Sequence, residues 1–361
     1  MSTMETHRVV RFSPASRAAA VFAVVLLIGL VAAPWWAGRA DMRLMSELFL
    51  YLALASLWNL LAGYAGLVSV GQQAFVGFGG YCLFALTIFF GVPPLLAVPA
   101  VGLAGALIAI PVAFLIFRLR GAYFAIGTWV IAEVFRLTAA QVSALGGGSG
   151  TSLPVTVVKS IAASRAMREA ATYWMALGIA VLVIAVVCVL LRSRRGLALT
   201  AIRDNELASQ SLGIDIWRAK FFVYVVTAAL TAAVGALIFL QKLRISPDAA
   251  FSVNDWTAFV IFIVVIGGIG TIEGPIIGTI VFFLLRETLA DLGALYLMIL
   301  GFVAIIIMLR APKGIWGMVR EKTGLDLFGL TRRVVTVTQR RSDPAGGSGE
   351  TRQVGRKPQA T

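Results

Sequence analysis

The polar side chains best suited to chemistry lie inside apolar segments and carry no charge. Gln72 and Gln73 stand side by side in a glycine-rich stretch, GLVSVGQQAFVGFGGY (66–81), and Asn59 lies in the apolar run before it. Because an unpaired amide is costly in lipid, we expect these groups to face protein or a water-filled path, where amides can bind a polar solute in passing. An interfacial loop between two helices is the alternative interpretation of this stretch.

A second interruption, GGIGTIEGPIIG (267–278), repeats glycine every four residues at Gly270, Gly274 and Gly278. This spacing places small residues on one helix face and favours close helix packing. The alternative is a broken helix that lines a transport path. Pro275 marks either the start of the next helix or a kink in it.

Two ionisable residues of one apolar run, Glu133 and Arg136, are three positions apart. Residues at this spacing are neighbours on a helix surface, so the two side chains can neutralise each other. A structural ion pair is the favoured interpretation. A contact with a transported solute is the alternative, because ionisable groups within membrane spans are costly and often functional.

The sequence offers little to catalysis. His7 is the only histidine and lies in the polar N-terminal arm, while the two cysteines, Cys82 and Cys188, lie in apolar runs. These counts exclude a disulfide framework and a thiolate metal cluster, and they remove the commonest general base from the apolar segments. We therefore expect no catalytic residues, no metal site and no cofactor, and we do not expect an enzyme.

Membrane-spanning helices must hold these residues in place. Of the 361 residues, 59% are hydrophobic and only 13% are charged, and the mean hydropathy is +0.91. Soluble proteins average roughly 25% charged residues, and a span needs roughly 17 to 25 apolar residues. The sequence therefore predicts an all-α, polytopic membrane protein with about ten spans, some of them short or interrupted. The predicted spans are 18–36, 48–63, 74–90, 95–117, 122–137, 172–191, 221–240, 256–268, 275–285 and 295–309.

The placement of basic residues predicts the orientation. The net charge of +14 is concentrated in the N-terminal arm, in 192–220 and after Leu309, which follows the positive-inside rule and is unlike a nucleic-acid groove. An even number of spans places all three regions in the cytoplasm. We expect a cytoplasmic arm (1–17), a transmembrane permease domain (18–310) with a cytoplasmic loop (192–220), and a cytoplasmic tail (311–361) that is disordered from about residue 342. A cleaved signal peptide is the alternative for the first run.

The loop RSRRGLALTAIRDNELASQSLGIDIWRAK (192–220) is expected to form one or two short helices. Its apolar positions lie beside charged ones, which suits docking on a soluble partner. The apolar positions are Leu197, Leu199, Ile202, Leu207 and Leu212. An amphipathic helix on the bilayer surface is the alternative. The chain has no GxxxxGK[ST] phosphate loop, so any nucleotide that drives it must be bound by another protein.

Five segments, taken together, carry a specific family resemblance, although each alone would be weak. They are NLLAGYAGLVSVGQQAFVGFGGY (59–81), RLRGAYFAIGTWVIAEVFRL (118–137), GGSGT (147–151), RRGLALTAIRDNELASQSLGIDIWRAK (194–220) and VVIGGIGTIEGPIIG (264–278). Over most of its length the chain resembles the LivM-type permease subunits of branched-chain amino acid ABC transporters.

By this resemblance, the segment 203–213 is the coupling loop that rests on an ATP-binding subunit, with that role assigned to Arg203, Glu206, Ala208 and Gly213. One departure is visible. The general importer pattern has Glu-Ala-Ala followed by glycine after three residues, whereas here Glu206, Leu207 and Ala208 are followed by Gly213 one residue further along. The sequence fits the branched-chain subgroup better than importers at large.

The resemblance also implies partners and a cargo. It implies a multi-pass protein of a bacterial-type inner membrane that forms one half of a pore with a second, different permease subunit, two ATP-binding cassette subunits and an external substrate-binding protein. Branched-chain or similar apolar amino acids would cross by alternating access. Urea, short amides or aromatic acids are alternative cargoes, and a carrier or channel working alone is an alternative mechanism. The candidate pathway residues are Asn59, Gln72, Gln73, Gly77, Thr128, Glu133, Gly270, Thr271 and Gly274.

Overall fold

The structure, a computed structural model, describes residues 4–10, 14–162, 164–289, 292–293, 295–311, 313–323 and 333–339. Helices dominate this part of the chain, so the predicted all-α class is confirmed. In chain order the α-helices of the described residues are α1 (Pro14–Val31), α2 (Ala33–Trp36), α3 (Arg39–Asn59), α4 (Gln72–Phe89), α5 (Pro94–Ile116), α6 (Ala122–Gln141), α7 (Val155–Ile161), α8 (Arg165–Arg192), α9 (Arg194–Asp204), α10 (Glu206–Ser211), α11 (Ile216–Lys242), α12 (Pro247–Ala250), α13 (Phe259–Gly267), α14 (Glu273–Leu289), α15 (Leu295–Arg310) and α16 (Gly314–Thr323).

Eight helical segments of the described chain are long and apolar enough to cross a membrane, which makes this a multi-pass membrane protein. Two further predicted spans correspond to shorter helices: α1, with an apolar stretch at Val21–Val31, and α14, with 17 residues. The predicted total of about ten includes both of these and stays a prediction. The eight segments are Arg39–Tyr64, Gln72–Phe89, Pro94–Ile116, Ala122–Gln141, Arg165–Arg192, Ile216–Lys242, Pro247–Gly267 and Leu297–Thr323.

Two small antiparallel sheets accompany the helices. Strand β1 (Met4–Val10) pairs with β4 (Arg333–Gln339), and β2 (Thr151–Ser152) pairs with β3 (Arg244–Ile245). The first sheet joins the N-terminal arm to the C-terminal tail, a contact that hydropathy did not indicate. The part of the tail predicted to be disordered, from about residue 342, lies outside the described residues.

Helix α11 lies at the centre of the bundle because small residues let its neighbours approach its backbone. A Cβ atom added to Gly79 of α4 would lie 2.8 Å from the Ala232 carbonyl carbon, and one added to Gly235 would lie 2.6 Å from the Val76 Cα atom. A Cβ atom at Gly105 of α5 would lie 2.5 Å from the Ala232 Cβ atom. Close backbone approach of this kind is typical of packed membrane helices.

The outer helices carry large apolar side chains on their exposed faces. Phe22 of α1, Trp129 of α6 and Phe302 of α15 are all exposed. In water such a surface would aggregate, but apolar exteriors are expected of helices that meet lipid or another membrane subunit. The apolar exterior therefore agrees with the assignment to a membrane.

Two helix breaks lie next to each other at the end of the bundle that holds α9 and α10. Helix α3 continues into a π-helical turn at Leu60–Tyr64, and a non-helical segment then leads to α4. Helix α13 ends at Gly267, and the loop 268–272 leads to α14. The predicted span ends at Gly63 and Gly268 coincide with these breaks. A second π-helical turn, Asn254–Ala258, precedes α13; π-helical turns are rare and frequent at functional sites.

Candidate functional site at the helix breaks

Asn59, at the end of α3, holds the loop between α13 and α14. Its Nδ2 atom donates a hydrogen bond to the Thr271 carbonyl oxygen at 2.7 Å, and its Oδ1 atom accepts one from the Gly270 amide at 2.8 Å. Asn59 is buried, and these two bonds satisfy both ends of its amide. The amide therefore joins the two breaks, rather than remaining open to a solute.

Gly63 and Gly270 bring the two breaks into backbone contact. A Cβ atom at Gly63 would lie 2.6 Å from the Gly270 nitrogen and 2.9 Å from its Cα atom, and it would also collide with Asn59 Oδ1. Gly270 has a φ of +76°, a left-handed conformation that strongly favours glycine. The sequence singled out Gly270 for its spacing but gave no role to Gly63.

Arg203, in the last turn of α9, reaches this junction from the loop between α8 and α11. Its Nη1 atom donates a hydrogen bond to the Gly63 carbonyl oxygen at 2.7 Å, and its Nη2 atom pairs with Asp204 Oδ1 at 2.9 Å. The Arg203 Cα atom lies beside Gly66, which has a φ of +68°. Arg203 was expected to face an ATP-binding subunit; the structure directs its guanidinium to the chain's own backbone.

Side-chain caps shape the rest of this loop. Asn205 Oδ1 accepts a hydrogen bond from the Ala208 amide at 3.0 Å and so caps α10, as expected of asparagine at this position. Glu206 forms an ion pair with Lys220 of α11. Gly213 ends α10 with a φ of +80°, and the Ile214 amide donates to the Ser209 carbonyl oxygen at 3.1 Å, which is a glycine-terminated helix end.

The apolar residues expected to form one stripe on this loop do not all face the same way: some face the interior of the chain and others face outward. Leu199 and Ile202 of α9 are fully buried inside the chain. Leu207, within α10, and Leu212, the residue after its end, have exposed fractions of 78% and 80%. Leu197 is also exposed. These apolar residues therefore do not form one continuous surface. Those on and next to α10 are open to a partner.

The two glutamines face protein. Gln72 Nε2 donates to the Leu54 carbonyl oxygen of α3 at 3.0 Å, and Gln73 Oε1 accepts a hydrogen bond from the Thr257 hydroxyl in the second π-helical turn. Both residues are buried at the start of α4. The sequence left open whether this stretch is an interfacial loop, and the structure places both glutamines inside the helical bundle.

Thr128 and Gly77 support the segments around α4. Thr128 Oγ1 accepts a hydrogen bond from the Val70 amide at 3.0 Å and donates one to the Ala125 carbonyl oxygen at 2.8 Å. A Cβ atom at Gly77 would lie 2.5 Å from the Phe251 Cδ1 atom. Both positions therefore have packing roles in this chain, in addition to the pathway role expected for them.

Glu133 lies away from the helix breaks. The predicted ion pair is present, with Glu133 Oε1 at 2.6 Å from Arg136 Nη2, and Arg136 Nη1 also pairs with Asp248 of α12 at 2.8 Å. About half of the Glu133 side-chain surface is exposed. Glu133 therefore does not belong to the group of residues gathered at the helix breaks.

The glycines after the second break pack helix against helix. A Cβ atom at Gly267 would lie 2.5 Å from the Gly274 carbonyl carbon, and one at Gly278 would lie 2.8 Å from the Ile263 carbonyl carbon. Thr271 Oγ1 donates to the Gly268 carbonyl oxygen at 2.8 Å and accepts from the Gly274 amide at 3.0 Å. This geometry is the close packing favoured for Gly274 and Gly278. Gly270, expected on the same helix face, instead lies in the loop 268–272, so the chain is broken there as in the alternative interpretation.

The structure thus gathers Asn59, Gly270, Thr271 and Gly274 with Arg203 into one site at the helix breaks. It adds Gly63, whose sequence signals were its place within the motif 59–81 and at the end of a predicted span. Away from this site, Gln73 pairs with Thr257, which the sequence offered no reason to select. Among the described residues, no group of three or more His, Cys, Asp and Glu side chains is arranged to hold a metal ion.

Comparison with known proteins places these features in a family. Residues 42–309 match the family described as "Branched-chain amino acid transport system / permease component". This range contains both helix breaks, the Arg203 contact and the α9–α10 loop. No solved structure matches the chain.

Curated relatives agree with the family match. The chain is 27% identical over 327 residues to the high-affinity branched-chain amino acid transport system permease protein LivM of Salmonella typhimurium, and 28% identical to that of Escherichia coli; each alignment covers 84% of this chain and 76% of the relative. It is 28% identical over 186 residues to the probable branched-chain amino acid transport permease protein LivM of Methanocaldococcus jannaschii, covering 51% of this chain and 52% of the relative.

The family match covers most of the chain and includes most of the spans and the breaks and the loop that carry the resemblance drawn from its motifs. That resemblance is confirmed. The chain belongs to the family of permease components of branched-chain amino acid transport systems.

Proposed function

We propose that this chain is one permease subunit of an ATP-driven importer that moves branched-chain or similar apolar amino acids across a bacterial-type inner membrane. The family match and the names of the relatives support the cargo. ATP hydrolysis takes place in separate cassette subunits, because the sequence has no phosphate loop of its own.

The observation that carries this proposal is the bond from Arg203 to the Gly63 carbonyl oxygen. Gly63 contacts Gly270, and Asn59 binds the Gly270 amide and the Thr271 carbonyl. A displacement of α9 is therefore transmitted to both helix breaks through one side chain. This is a physical route by which an ATPase beneath the loop changes the packing of α3 against the α13–α14 loop, as alternating access requires.

The exposed part of the α9–α10 loop is the proposed contact with the ATPase. Leu207 and Leu212 place two large apolar side chains on the surface beside the Glu206–Lys220 ion pair. An apolar patch with a charged rim is typical of a protein docking site. Glu206, Ala208 and Gly213 then act by holding α10 in place: Glu206 by its ion pair, Ala208 by its capped amide and Gly213 by ending the helix.

At the opposite end of α3, a basic surface supports docking of an external binding protein. Arg39, Arg43 and Arg165 surround Glu169, with nitrogen–oxygen distances of 3.7, 3.5 and 3.2 Å. Three positive charges face one negative charge there, and each arginine side chain is about two-thirds exposed. Such a surface attracts acidic groups of a partner.

The orientation proposed for this chain places both termini and the α9–α10 loop in the cytoplasm. The concentration of basic residues in these regions supports it. The pairing of β1 with β4 adds a second support, because the two terminal segments must then lie on the same side of the membrane. An even number of spans satisfies both conditions.

The pathway is proposed to run between this chain and a second permease subunit. Two cavities inside the described part of the chain have volumes of about 20 and 10 Å³. Each has room for about one water molecule, whereas small-molecule sites usually measure roughly 300 Å³ or more. A leucine molecule does not fit either cavity, which favours a path along the exposed faces, between two permease subunits.

Reconstitution in proteoliposomes tests the proposal. The chain, its partner permease, the cassette subunits and the binding protein are combined, and uptake of labelled leucine is measured. We expect uptake that needs ATP and every subunit, and that unlabelled isoleucine and valine compete. Uptake without the cassette subunits would indicate a carrier instead. Competition by urea, short amides or aromatic acids, but not by valine, would keep the importer and change its cargo.

A further inference from the structure

Helix α6 packs against the rest of the bundle with one face only. Its buried residues are Phe124, Thr128, Ala132 and Ala139. They recur at spacings of four and seven residues, so they lie on the same side of the helix. The opposite side of α6 is open in the described part of the chain.

A regular stripe of side chains occupies this open side. It consists of Tyr123, Ile126, Val130, Glu133 and Leu137, which follow one another at alternating spacings of three and four residues. The four apolar members are each at least half exposed, and the Glu133 side chain is 48% exposed. Spacings of three and four place side chains along one helix face, where a second helix can pack. We call these five residues the outward stripe.

Glu133 lies deep within the membrane span. Helix α6 has 20 residues and is therefore about 30 Å long, the thickness of the hydrocarbon core. Glu133 comes eleven residues after Ala122, which begins the helix, so it lies about 17 Å along the axis. This position is just past the middle of the span.

Two further charged side chains lie beside Glu133. Arg136 Nη2 is 2.6 Å from Glu133 Oε1, and Arg136 Nη1 is 2.8 Å from Asp248 Oδ1. The Asp248 side chain is 84% exposed. The open side of α6 therefore carries two carboxylates and one guanidinium, and the chain itself covers neither carboxylate.

Lipid does not suit this face. Charged side chains within membrane spans are costly against hydrocarbon, and they almost always face protein or a water-filled cavity. The exposed face of α5 offers the contrast: Leu103 and Leu107 are exposed there, and the 23 residues of α5 include no charged residue. The α5 face suits lipid, whereas the α6 face needs water.

We propose that the outward stripe of α6 forms one wall of the water-filled transport path, opposite the second permease subunit. The charges of Glu133, Arg136 and Asp248 are then hydrated when the path is open, and the stripe meets a helix of the partner when the path closes. This inference rests on the proposed importer function. It identifies which exposed face of the chain the cargo passes.

Access of water to single cysteines tests the proposal in the assembled importer. Cys82 and Cys188 are first replaced by alanine, and Val130→Cys or Leu137→Cys is added on the outward stripe. A charged methanethiosulfonate reagent is applied to proteoliposomes. It reacts with thiolates, which form in water and not in hydrocarbon, so we expect both cysteines to be labelled.

The matched controls lie on the exposed face of α5 at similar depths. Leu107→Cys corresponds to Val130→Cys, and Leu103→Cys corresponds to Leu137→Cys. We expect labelling of the α6 cysteines to be at least about ten times faster than labelling of their α5 controls. Equal rates on the two helices would overturn the proposal. ATP-dependent leucine uptake by the cysteine-free parent is measured in the same vesicles, so a failure of the importer function is recognised separately.

Glu133→Leu provides a second test, because lipid and a water-filled path predict opposite results. On a wall of the path, the change replaces a hydrated carboxylate with an apolar group, and we expect leucine uptake to fall by about half or more without a rise in melting temperature. On a lipid-facing surface, it would remove a costly charge. A higher melting temperature with unchanged uptake would therefore contradict the proposal.

Discussion

Arg203 and Gly63 are 140 residues apart in the sequence, yet the Arg203 guanidinium donates a 2.7 Å hydrogen bond to the Gly63 carbonyl oxygen. This bond connects the α9–α10 loop to the π-helical end of α3. Because Gly63 also touches Gly270, one contact links the loop to both helix breaks.

Replacing Arg203 with glutamine is expected to uncouple transport without unfolding the protein. Glutamine is uncharged, so it cannot form the ion pair with Asp204, and it is shorter than arginine, so it does not reach the Gly63 carbonyl oxygen. A hydrogen bond to a charged group is worth roughly 1.5–3 kcal/mol, so uptake per ATP hydrolysed is expected to fall about tenfold or more. Uptake and ATP hydrolysis are measured in proteoliposomes. Arg120→Gln, on the exposed α5–α6 connection, is the control; equal coupling in both variants would disprove the role of Arg203.

Glu206→Lys is expected to weaken coupling by repelling Lys220. The ion pair between these residues holds the start of α10 against α11, and two like charges at this position destabilise that contact. Membrane insertion and melting temperature are expected to change little, while leucine uptake falls. The reversed pair, Glu206→Lys with Lys220→Glu, is expected to recover much of the uptake. Failure of the reversed pair to recover any uptake would show that the charge of Glu206 itself is needed.

Leu207→Asn combined with Leu212→Asn is expected to reduce binding of the cassette subunits. Both side chains are exposed, so the change removes apolar contact area without creating a cavity in the permease. Copurification of the cassette subunits with the permease measures the effect. Val155→Asn, an exposed position on α7 at the other end of the bundle, serves as the control. Unchanged copurification in the leucine variant would place the ATPase contact elsewhere.

Gly63→Ala is expected to destabilise the site at the helix breaks. The added Cβ atom would lie 2.6 Å from the Gly270 nitrogen, so the two breaks must move apart. Overpacking of this kind typically costs about 1–3 kcal/mol. The measurement is the melting temperature in detergent. Gly178→Ala in α8, where a Cβ atom meets nothing within 4 Å, is expected to be neutral or slightly stabilising; a similar loss at both positions would contradict the packing argument.

Asn59→Leu is expected to loosen the α13–α14 loop from α3. The change leaves the Gly270 amide and the Thr271 carbonyl without their side-chain partner, at a cost of roughly 1–3 kcal/mol for each group that stays buried. Hydrogen exchange of the Gly270 amide is expected to accelerate, and the melting temperature to fall. Asn59→Asp keeps an acceptor for Gly270 and is expected to protect its amide better than leucine does. Equal protection in both variants would count against this bond.

Local features of the sequence were sufficient for several results. Eight of the ten spans predicted from hydropathy coincide with helices long and apolar enough to cross a membrane, because membrane helices must be apolar along their length. The predicted span ends at Gly63 and Gly268 lie at the two helix breaks, and the spacing of Glu133 and Arg136 predicted their ion pair. In each case the deciding interaction lies within one helix or between a helix and lipid.

The tertiary structure decided which residues meet. Asn59 and Thr271 are 212 residues apart, and their bond depends on how α3 packs against the α13–α14 loop. The leucines of the α9–α10 loop look equivalent in sequence, yet Leu199 is buried while Leu207 is exposed, because α9 packs against the bundle. Arg203 has the charge expected at a docking surface, but its guanidinium binds a backbone carbonyl. Residue type and helical period determined the spans, whereas these contacts required the packing of distant backbones.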